Sequence, residues 1–330
     1  MKKVLITGAN GFIGSFLVEK ALSLGYETWA GVRKSSNLEY LRDERIKFID
    51  LQYSNTDLLS EQLNETAFDF IIHNAGITKC VKRTDFDRIN FQYTANLIDV
   101  LNRTDTPLRK FILMSSLSAY GMGDEKNYTP IKLTDTPNPN TAYGKSKLKA
   151  ELHLQSVADF PYLIFRPTGV YGPREKDYLM MLKTVKSGFN ISAGFRTQHL
   201  TFVYVKDLAD VVFRGLESNI ENKSYFVSDG DVHTSKDYAR LIKKTLNKKR
   251  IATVTIPLFV IYAISCISEL LSKITGKSAT LNRDKFVIMR QRNWECETQP
   301  LVNDLNFAPK YNLCRGLEES ISWYKENDWL

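Results

Sequence analysis

The opening of the chain constrains its fold more than any other stretch, because a short apolar run leads directly into three evenly spaced glycines. Residues 4–6 read Val-Leu-Ile and predict a buried strand, and Gly8, Gly11 and Gly14 follow. A strand that turns straight into a helix presents free backbone N–H groups and the positive end of the helix dipole, and glycines let a pyrophosphate approach them. The stretch therefore predicts a dinucleotide site near the start of the chain.

The residues after these glycines predict a helix, because apolar side chains recur there at helical spacing: Phe12, Ile13, Phe16, Leu17, Ala21, Leu22 and Leu24. Further strands are predicted in the first part of the chain, at 27–32, 46–49, 70–72 and 111–114. Amphipathic helices are predicted between and after them, among others at 89–101 and 143–158. This alternation is typical of an α/β fold with a doubly wound parallel sheet and right-handed crossovers.

The length of 330 residues allows one large α/β core and a smaller second lobe. We predict a cofactor-binding domain over residues 1–172, to which the segment from about 199 to 230 returns. Most of 173–330 is predicted to form a substrate-binding lobe, since small-molecule sites usually lie in clefts between such lobes.

The end of the second predicted strand bears on the choice of cofactor. A ribose with a free 2′-OH favours an Asp or Glu roughly 20 residues after the glycines, and Val32 stands there instead. Arg33, Lys34 and Ser36 follow it, and cations with hydroxyls suit a 2′-phosphate. We therefore predict NADP as the cofactor, with NADPH preferred over NADH. A solvated loop is the alternative interpretation.

Tyr143 and Lys147 are four residues apart at the start of a predicted helix and so share one of its faces. A hydride that moves between a nicotinamide and a carbonyl needs a proton donor at the developing alkoxide, and a phenol can serve if nearby positive charge brings its pKa toward neutrality. We assign Tyr143 as the acid/base, Lys147 as its electrostatic partner and a ribose donor, and Ser116 as the group that polarises the substrate oxygen. His73, at a strand end, is interpreted as structural.

Together these motifs resemble the extended short-chain dehydrogenases/reductases over nearly the whole chain. The matching pieces are Thr7-Gly-Ala-Asn-Gly-Phe-Ile-Gly14, Asp50-Leu51, His73-Asn-Ala-Gly76, Ser115-Ser116 with Tyr120-Gly121, Tyr143-x-x-x-Lys147, Arg166-Pro-Thr-Gly-Val-Tyr-Gly-Pro173 and Phe202-Val-Tyr-Val-Lys-Asp207. The resemblance implies a Rossmann domain, a catalytic Ser116, and a homodimer that pairs helices 89–101 and 143–158 with those of a second copy.

The same resemblance implies roles for further residues. Cofactor contacts are implied for Gly8, Asn10, Gly11, Phe12, Ile13, Gly14, Arg33, Lys34, Ser36, Asp50, Leu51, Asn74, Ala75, Gly76, Ser115, Tyr143, Lys147, Pro167 and Val170. Substrate contacts are implied for Ile77, Ser118, Thr168 and Tyr204.

Within that family the chain looks most like the branch of 3β-hydroxysteroid dehydrogenases and dihydroflavonol-type reductases. Nucleotide-sugar epimerases of the family usually carry Asn where this chain has Thr168, and an acidic residue where it has Val32. The resemblance thus implies NADP-dependent interconversion of a secondary alcohol and a ketone on a largely apolar substrate, a hydroxysteroid or sterol-like acid first. A nucleotide-sugar epimerase or dehydratase is the alternative. A cofactor sensor without turnover is disfavoured, because it would not need Ser116, Tyr143 and Lys147 together.

Composition and charge limit the kinds of partner and the location that we expect for this protein. The formal net charge is +8, but only Lys243–Lys244 and Lys248–Arg250 form a cluster, so we expect no nucleic-acid partner. The four cysteines are widely spaced and lack histidines at ligand spacing, which argues against a metal site and against disulfides. The apolar run after Lys2–Lys3 ends at Ile6, too early for a signal peptide. We expect a cytoplasmic location.

Residues 251–268 contain no charged side chain, which raises the question of a membrane. Residues 251–256 alternate as a strand does, Pro257 breaks the run, and residues 258–271 then read as an apolar helix. We favour a helix that is buried or lines the substrate pocket. A helix resting on a membrane surface as a peripheral contact is the second alternative, and a true membrane span is the third.

Overall fold

The computed structural model of the chain describes residues 1–104, 107–276, 279 and 281–330. Within these residues the central sheet has seven parallel strands, numbered in chain order: β1 Lys3–Thr7, β2 Glu27–Gly31, β3 Lys47–Ile49, β4 Phe70–His73, β5 Lys110–Met114, β6 Tyr162–Pro167 and β11 Lys223–Val227. Across the sheet they run β3-β2-β1-β4-β5-β6-β11. The order reverses between β1 and β4, and ligands of such sheets bind at the carboxyl ends beside this reversal. The predicted doubly wound α/β fold is confirmed.

Helices cover both faces of this sheet. They are α1 Phe12–Ser23, α7 Val205–Glu217 and α11 Gln299–Leu305 on one face, and α2 Thr56–Thr66, α4 Tyr93–Leu101 and α5 Ala142–Val157 on the other. The alternation of β1 explains why both faces need cover: Val4 and Ile6 belong to the first apolar core, and Leu5 belongs to the second.

The predicted helix over 89–101 is irregular in its first half. The short helix α3 Thr84–Phe86 runs into a π-helical turn, Asp87–Gln92, before α4 begins. This wider turn carries Asn90, which is buried. Such insertions are rare and occur often at functional sites.

The second lobe is built from the later helices and several short strands. Its helices are α6 Asp177–Lys186, α8 Ser235–Thr245, α9 Leu258–Thr275, α10 Arg283–Arg290 and α12 Leu313–Glu326. Its strands are β7 Gly169–Tyr171, β8 Phe189–Ala193, β9 His199–Leu200, β10 Phe202–Tyr204, β12 His233–Thr234 and β13 Ala252–Ile256, which pair as β7 with β10, β9 with β12 and β8 with β13. The chain leaves the central sheet at the end of β6, at residue 167. It returns to the sheet with β11, which pairs with β6 at the edge.

The apolar segment is not a buried helix, so this half of the favoured interpretation is wrong, and a role in lining the substrate pocket stays a prediction. Of the residues in α9, only Ile261, Ser265 and Ser272 are buried. Among the described residues it is the one helix long and apolar enough to cross a membrane by length and composition. The sequence could not show this exposure, because an apolar helix has the same composition in a core and on an exposed surface.

Candidate active site

The glycine turn after β1 has the geometry of an anion site. Gly8 has a φ of +62°, and a Cβ built on Gly14 would lie 2.1 Å from the Gly8 carbonyl oxygen, so neither position accepts a side chain. Helix α1 begins after Gly11, which offers no side-chain cap, and its first turn carries no acidic residue. The first N–H groups of α1, from Phe12 onward, are thus available to a phosphate. The residues present fit the pyrophosphate of a dinucleotide.

The loop after β2 brings the predicted ribose-side residues together. Arg33 and Lys34 are exposed, and the Arg33 backbone N–H donates to Ser36 Oγ at 3.2 Å. The Lys34 backbone N–H donates to Asp50 Oδ2 at 3.2 Å, which ties the loop to the end of β3, where Leu51 is buried. The side chains of Arg33 and Lys34 are therefore available to an anion at the carboxyl edge of the sheet. The one carboxylate beside them, Asp50, already accepts a backbone hydrogen bond.

The turn after β4 packs against the glycine turn, because β1 and β4 are neighbouring parallel strands that end at the same edge of the sheet. A Cβ on Gly8 would lie 2.8 Å from the Ala75 Cα. Asn74 Nδ2 donates to the Gly8 carbonyl at 3.4 Å, and the Ala75 N–H donates to Thr7 Oγ1 at 3.0 Å. Asn10 is half-buried in the same glycine turn. The two turns form one continuous floor at the carboxyl edge of the sheet.

His73 is a structural residue, in agreement with the sequence-based interpretation. Its Nδ1 lies 3.0 Å from Thr7 Oγ1 and its Nε2 lies 2.9 Å from Thr94 Oγ1. Because Thr94 Oγ1 already donates to the Asn90 carbonyl, it must accept from Nε2–H, which places a proton on Nε2 of His73. Burial lowers the pKa of His73 to about 3, with a smaller effect from the Lys147 charge.

Tyr143 and Ser116 meet where β5 ends and α5 begins. The α5 helix is capped by Thr141, whose Oγ1 accepts from the Gly144 N–H at 2.9 Å. A Cβ on Gly144 would lie 2.2 Å from the Ser118 carbonyl oxygen, so only glycine allows the serine loop to come this close. The Ser116 side chain lies near enough to the Tyr143 phenol to lower its pKa. The predicted pair therefore shares one site.

The protein alone does not bring the pKa of Tyr143 toward neutrality as the sequence analysis expected. Burial raises the pKa of this phenol, and the nearby Ser116 hydroxyl only partly offsets the rise. The chain's own residues thus keep Tyr143 protonated, which suits a proton donor.

Lys147 reaches from α5 to the end of β5. Its Nζ donates to the Met114 carbonyl at 2.5 Å, and a Cβ on Gly76 would lie 3.9 Å from the same Nζ. Burial lowers the pKa of Lys147 to about 8, although the charge of Glu151 opposes this. The ammonium therefore lies beside the β4 turn, where a ribose is expected, and remains mostly charged at neutral pH.

Two buried groups behind the site were missed by the sequence analysis. Asn90 joins the β4 loop to α5: its Oδ1 accepts from the Ile77 N–H at 2.7 Å, and its Nδ2 donates to the Ile77 carbonyl at 3.0 Å and to Ser146 Oγ at 3.1 Å. Glu151 accepts from Ser115 Oγ and from the Arg166 guanidinium, whose Nη2 lies 2.7 Å away. The helical spacing of Asn90 and Glu151 is compatible with buried positions. A single sequence does not show which distant residues they hydrogen-bond.

The residues assigned to the nicotinamide and the substrate do not all lie in the same region. Pro167 ends β6, Val170 lies in β7, and Thr168 donates to the Val227 carbonyl from its N–H at 3.0 Å and from its Oγ1 at 3.2 Å. Tyr204 has no exposed surface, and its ring packs on Tyr311 with centroids 4.2 Å apart. The implied substrate contact of Tyr204 is therefore wrong, since this side chain fills the core of the second lobe.

The sequence predicts no metal site, and this stays a prediction. The three side chains Asp229, Asp231 and His233, after β11, place ligand atoms within 4.8 Å of one another. They lie outside the Ser116–Tyr143–Lys147 set, and nothing else in the described chain assigns them a ligand.

Comparison with known proteins identifies the class. The model of the NAD dependent epimerase/dehydratase family matches residues 4–227, and the chain belongs to this family of NAD-dependent enzymes. It is 26% identical to the UDP-glucose 4-epimerase of Vibrio cholerae, over 86% of this chain and 85% of that protein. It is 23% identical to the sterol-4-alpha-carboxylate 3-dehydrogenase, decarboxylating, of Dictyostelium discoideum, over 97% of this chain and 100% of that protein.

The fold is also that of solved family members. The crystal structure of dTDP-glucose 4,6-dehydratase from Bacillus anthracis in complex with NAD superimposes with a TM-score of 0.77 at 19% identity. The alignment covers 99% of this chain and 98% of the dehydratase.

Proposed function

We propose that this enzyme is an NADP-dependent oxidoreductase that interconverts a secondary alcohol and a ketone on a largely apolar substrate. The observation that carries the proposal is that Ser116 and Tyr143 come together where the serine loop packs on the start of α5, with Lys147 on the same helix face. A bound nicotinamide would supply or accept the hydride. The chain itself contributes orientation and proton transfer.

The proton path follows from the site. In the reducing direction the Tyr143 hydroxyl gives its proton to the substrate oxygen, which leaves a phenolate. Ser116 donates to that oxygen and holds it in line with the phenol. Lys147, protonated and close to Gly76, stabilises the phenolate electrostatically and would hold the ribose. In the oxidising direction the same three groups act in reverse.

The preference for NADP is supported by the two cations after β2. Arg33 and Lys34 are exposed at the edge of the site, and the position where an acidic residue would repel a 2′-phosphate is Val32. The alternative is NAD, the cofactor in the related dehydratase structure.

The contacts of Arg174 support an apolar substrate. A free arginine in the second lobe could bind the diphosphate of a sugar nucleotide, but the guanidinium of Arg174 already has partners. Its Nη1 donates to Ser15 Oγ at 2.9 Å, its Nη2 pairs with Glu19 at 2.6 Å, and its guanidinium stacks on Phe16 and Tyr40 at 4.5 Å. Arg174 is thus bound to α1. Arg196 is another cation of the second lobe that could bind a diphosphate, and its side chain is exposed.

A nucleotide-sugar epimerase or dehydratase is the second candidate, because the Vibrio cholerae relative acts on UDP-glucose and the same Tyr–Lys pair could serve. The deciding experiment offers the purified enzyme NADPH or NADH with panels of hydroxysteroids, sterol-like keto acids, other lipophilic ketones, and UDP- or dTDP-sugars. Oxidation of NADPH with a lipophilic ketone supports the proposal. Conversion of a sugar nucleotide, with no lipophilic ketone accepted, would overturn it in favour of the second candidate.

A further inference from the structure

Helix α9 presents a continuous apolar stripe outward. Phe259, Ile267, Leu270 and Ile274 are 75%, 61%, 61% and 74% exposed, and their spacing of eight, three and four residues places them on one side of the helix. The buried residues Ile261, Ser265 and Ser272 lie on the opposite side. We call the four exposed residues the apolar face. A soluble surface rarely exposes such a row without a partner.

The inward side of α9 is held by α10 along much of its length. The rings of Tyr262 and Phe286 lie 5.3 Å apart, and two turns further along α9 Glu269 accepts from Arg283 Nε and Nη2, each at 2.8 Å. A helix bound sideways to the lobe in this way, with an ionised pair at its side, cannot cross a bilayer. Its outer stripe can lie in the plane of a membrane surface, as amphipathic helices do.

The strands next to α9 extend the exposed apolar surface. Strand β13 runs into α9 through Pro257 and pairs with β8. Ile191 and Val254 are partners in this pairing and are both exposed, and Phe195, in the turn after β8, is 79% exposed. A Cβ built on Gly194 beside it would lie 3.1 Å from the side chain of Leu258, the first residue of α9. The apolar surface therefore continues from the helix onto the β8–β13 pair.

Positive charge flanks these apolar elements along the sequence. The segments 181–196 and 243–276 hold nine cations and one carboxylate, Glu269, which Arg283 already neutralises. Five of the cations precede β13, at 243–250, and Lys273 stands near the other end of α9. This composition complements an anionic surface. In a two-fold contact between two copies of this face the same cations would oppose each other, which argues against a second copy as the partner.

We propose that the apolar face and the basic residues around it dock onto an anionic phospholipid bilayer, with α9 lying in the plane of the headgroups. Phe259, Ile267, Leu270 and Ile274 enter the boundary between headgroups and acyl chains, and the cations of 248–250 bind lipid phosphates. Docking requires no turnover, so its test is independent of the proposed oxidoreductase activity.

The test measures flotation of the full chain with vesicles of phosphatidylcholine alone or mixed with phosphatidylglycerol. The unchanged protein is expected to float with the mixed vesicles and to be released by salt. The double variant Phe259→Asp with Ile274→Asp should lose vesicle affinity by more than about tenfold. The control, Phe48→Asp with Leu58→Asp, alters two exposed apolar residues of the cofactor domain and should bind as the unchanged protein does.

A second variant tests the charge separately. Lys248→Gln, Lys249→Gln and Arg250→Gln together should weaken binding to the mixed vesicles by about a hundredfold, whereas the same loss of charge at Lys2, Lys126 and Lys325 should not. Circular dichroism and thermal unfolding check that each variant is folded. Absence of flotation by the unchanged protein, or equal flotation of the Phe259→Asp/Ile274→Asp variant, would overturn the proposal. A dimer in light scattering that this variant abolishes, without vesicle binding, would instead identify a second copy as the partner.

Discussion

Asp284 of α10 accepts a hydrogen bond from the backbone N–H of Ala142, the residue that precedes Tyr143, the proposed acid/base, with Oδ2 and N 2.8 Å apart. The other oxygen of this buried carboxylate pairs with Arg83. Asp284 therefore holds the first turn of α5 against the second lobe, and it is a positioning residue for the phenol rather than a catalytic one.

This relationship predicts that Asp284→Ala lowers kcat while the affinity for the cofactor stays within a few-fold, because the glycine turn lies elsewhere. A hydrogen bond to a charged group contributes about 1.5–3 kcal/mol, which corresponds to at least about tenfold in kcat if it holds the reactive geometry. Asp284→Asn keeps an acceptor for the Ala142 N–H and should recover part of the loss. Steady-state kinetics with cofactor titration check this, with Asp43→Asn as a surface control. A rise in KM alone would contradict the positioning role.

Tyr143→Phe is expected to abolish turnover and leave cofactor affinity nearly unchanged, since it removes a proton donor and no cofactor contact of the glycine turn. Lys147→Ala should impair both, because its ammonium lies beside the Met114 carbonyl and Gly76. Tyr162→Phe on β6 serves as the matched control. Fluorescence titration of the cofactor and single-turnover rates separate the two effects, and residual turnover in Tyr143→Phe would place the acid/base elsewhere.

Arg33→Ala should reduce the preference for NADPH over NADH. Loss of a charge-assisted bond to a phosphate costs about 1.5–3 kcal/mol, or roughly ten- to a hundredfold in affinity. Arg103→Ala removes an exposed cation after α4 and should leave the ratio of the two affinities unchanged. Calorimetric titration with both cofactors measures the ratio. Equal affinities in the unchanged protein would show that the cations after β2 do not bind a 2′-phosphate.

His73 predicts a pH dependence of stability. Its pKa falls from 6.5 to about 3 on folding because burial disfavours the charged ring. Between these values the unfolded chain binds a proton that the folded chain does not, so the free energy of unfolding decreases as the pH falls below 6.5, by up to about 1.4 kcal/mol per pH unit.

Urea unfolding between pH 5 and 7 tests this pH dependence of the free energy of unfolding. The variant His73→Gln is compared with His233→Gln, which serves as the control. The His73 variant starts from a lower stability, because it loses the bonds to Thr7 and Thr94. Its stability should nevertheless depend less steeply on pH, and parallel pH profiles for both variants would refute the assignment.

The cofactor side of the site could be predicted from the sequence because its signals are local. Gly8, Gly11 and Gly14 have to follow a strand directly, and Tyr143 and Lys147 need only helical spacing to face the same way. The predicted strands of the first domain agree with the structure to within about one or two residues, the usual uncertainty of such boundaries.

The second lobe was harder to predict, because its contacts join distant parts of the chain. Nothing near Asp284 in sequence indicates Ala142, and Tyr204 stands in a matching motif although its ring belongs to a core. The exposure of α9 depends on where β13 and α10 place it, and the same apolar letters would fit a buried helix. The homodimer and the cytoplasmic location remain predictions.

Three consecutive residues of α10 each bind a different part of the enzyme. Arg283 binds Glu269 of α9, Asp284 binds the start of α5, and Lys285 pairs with Asp177 of α6 at 3.0 Å. Since neighbouring residues of a helix point about 100° apart, the directions of these three bonds are set by the helical pitch. Inserting one residue between Arg283 and Asp284 would leave the Arg283 bond in place but turn Asp284 and Lys285 about 100° away from their partners, so this short helix should tolerate point substitutions better than a change of length.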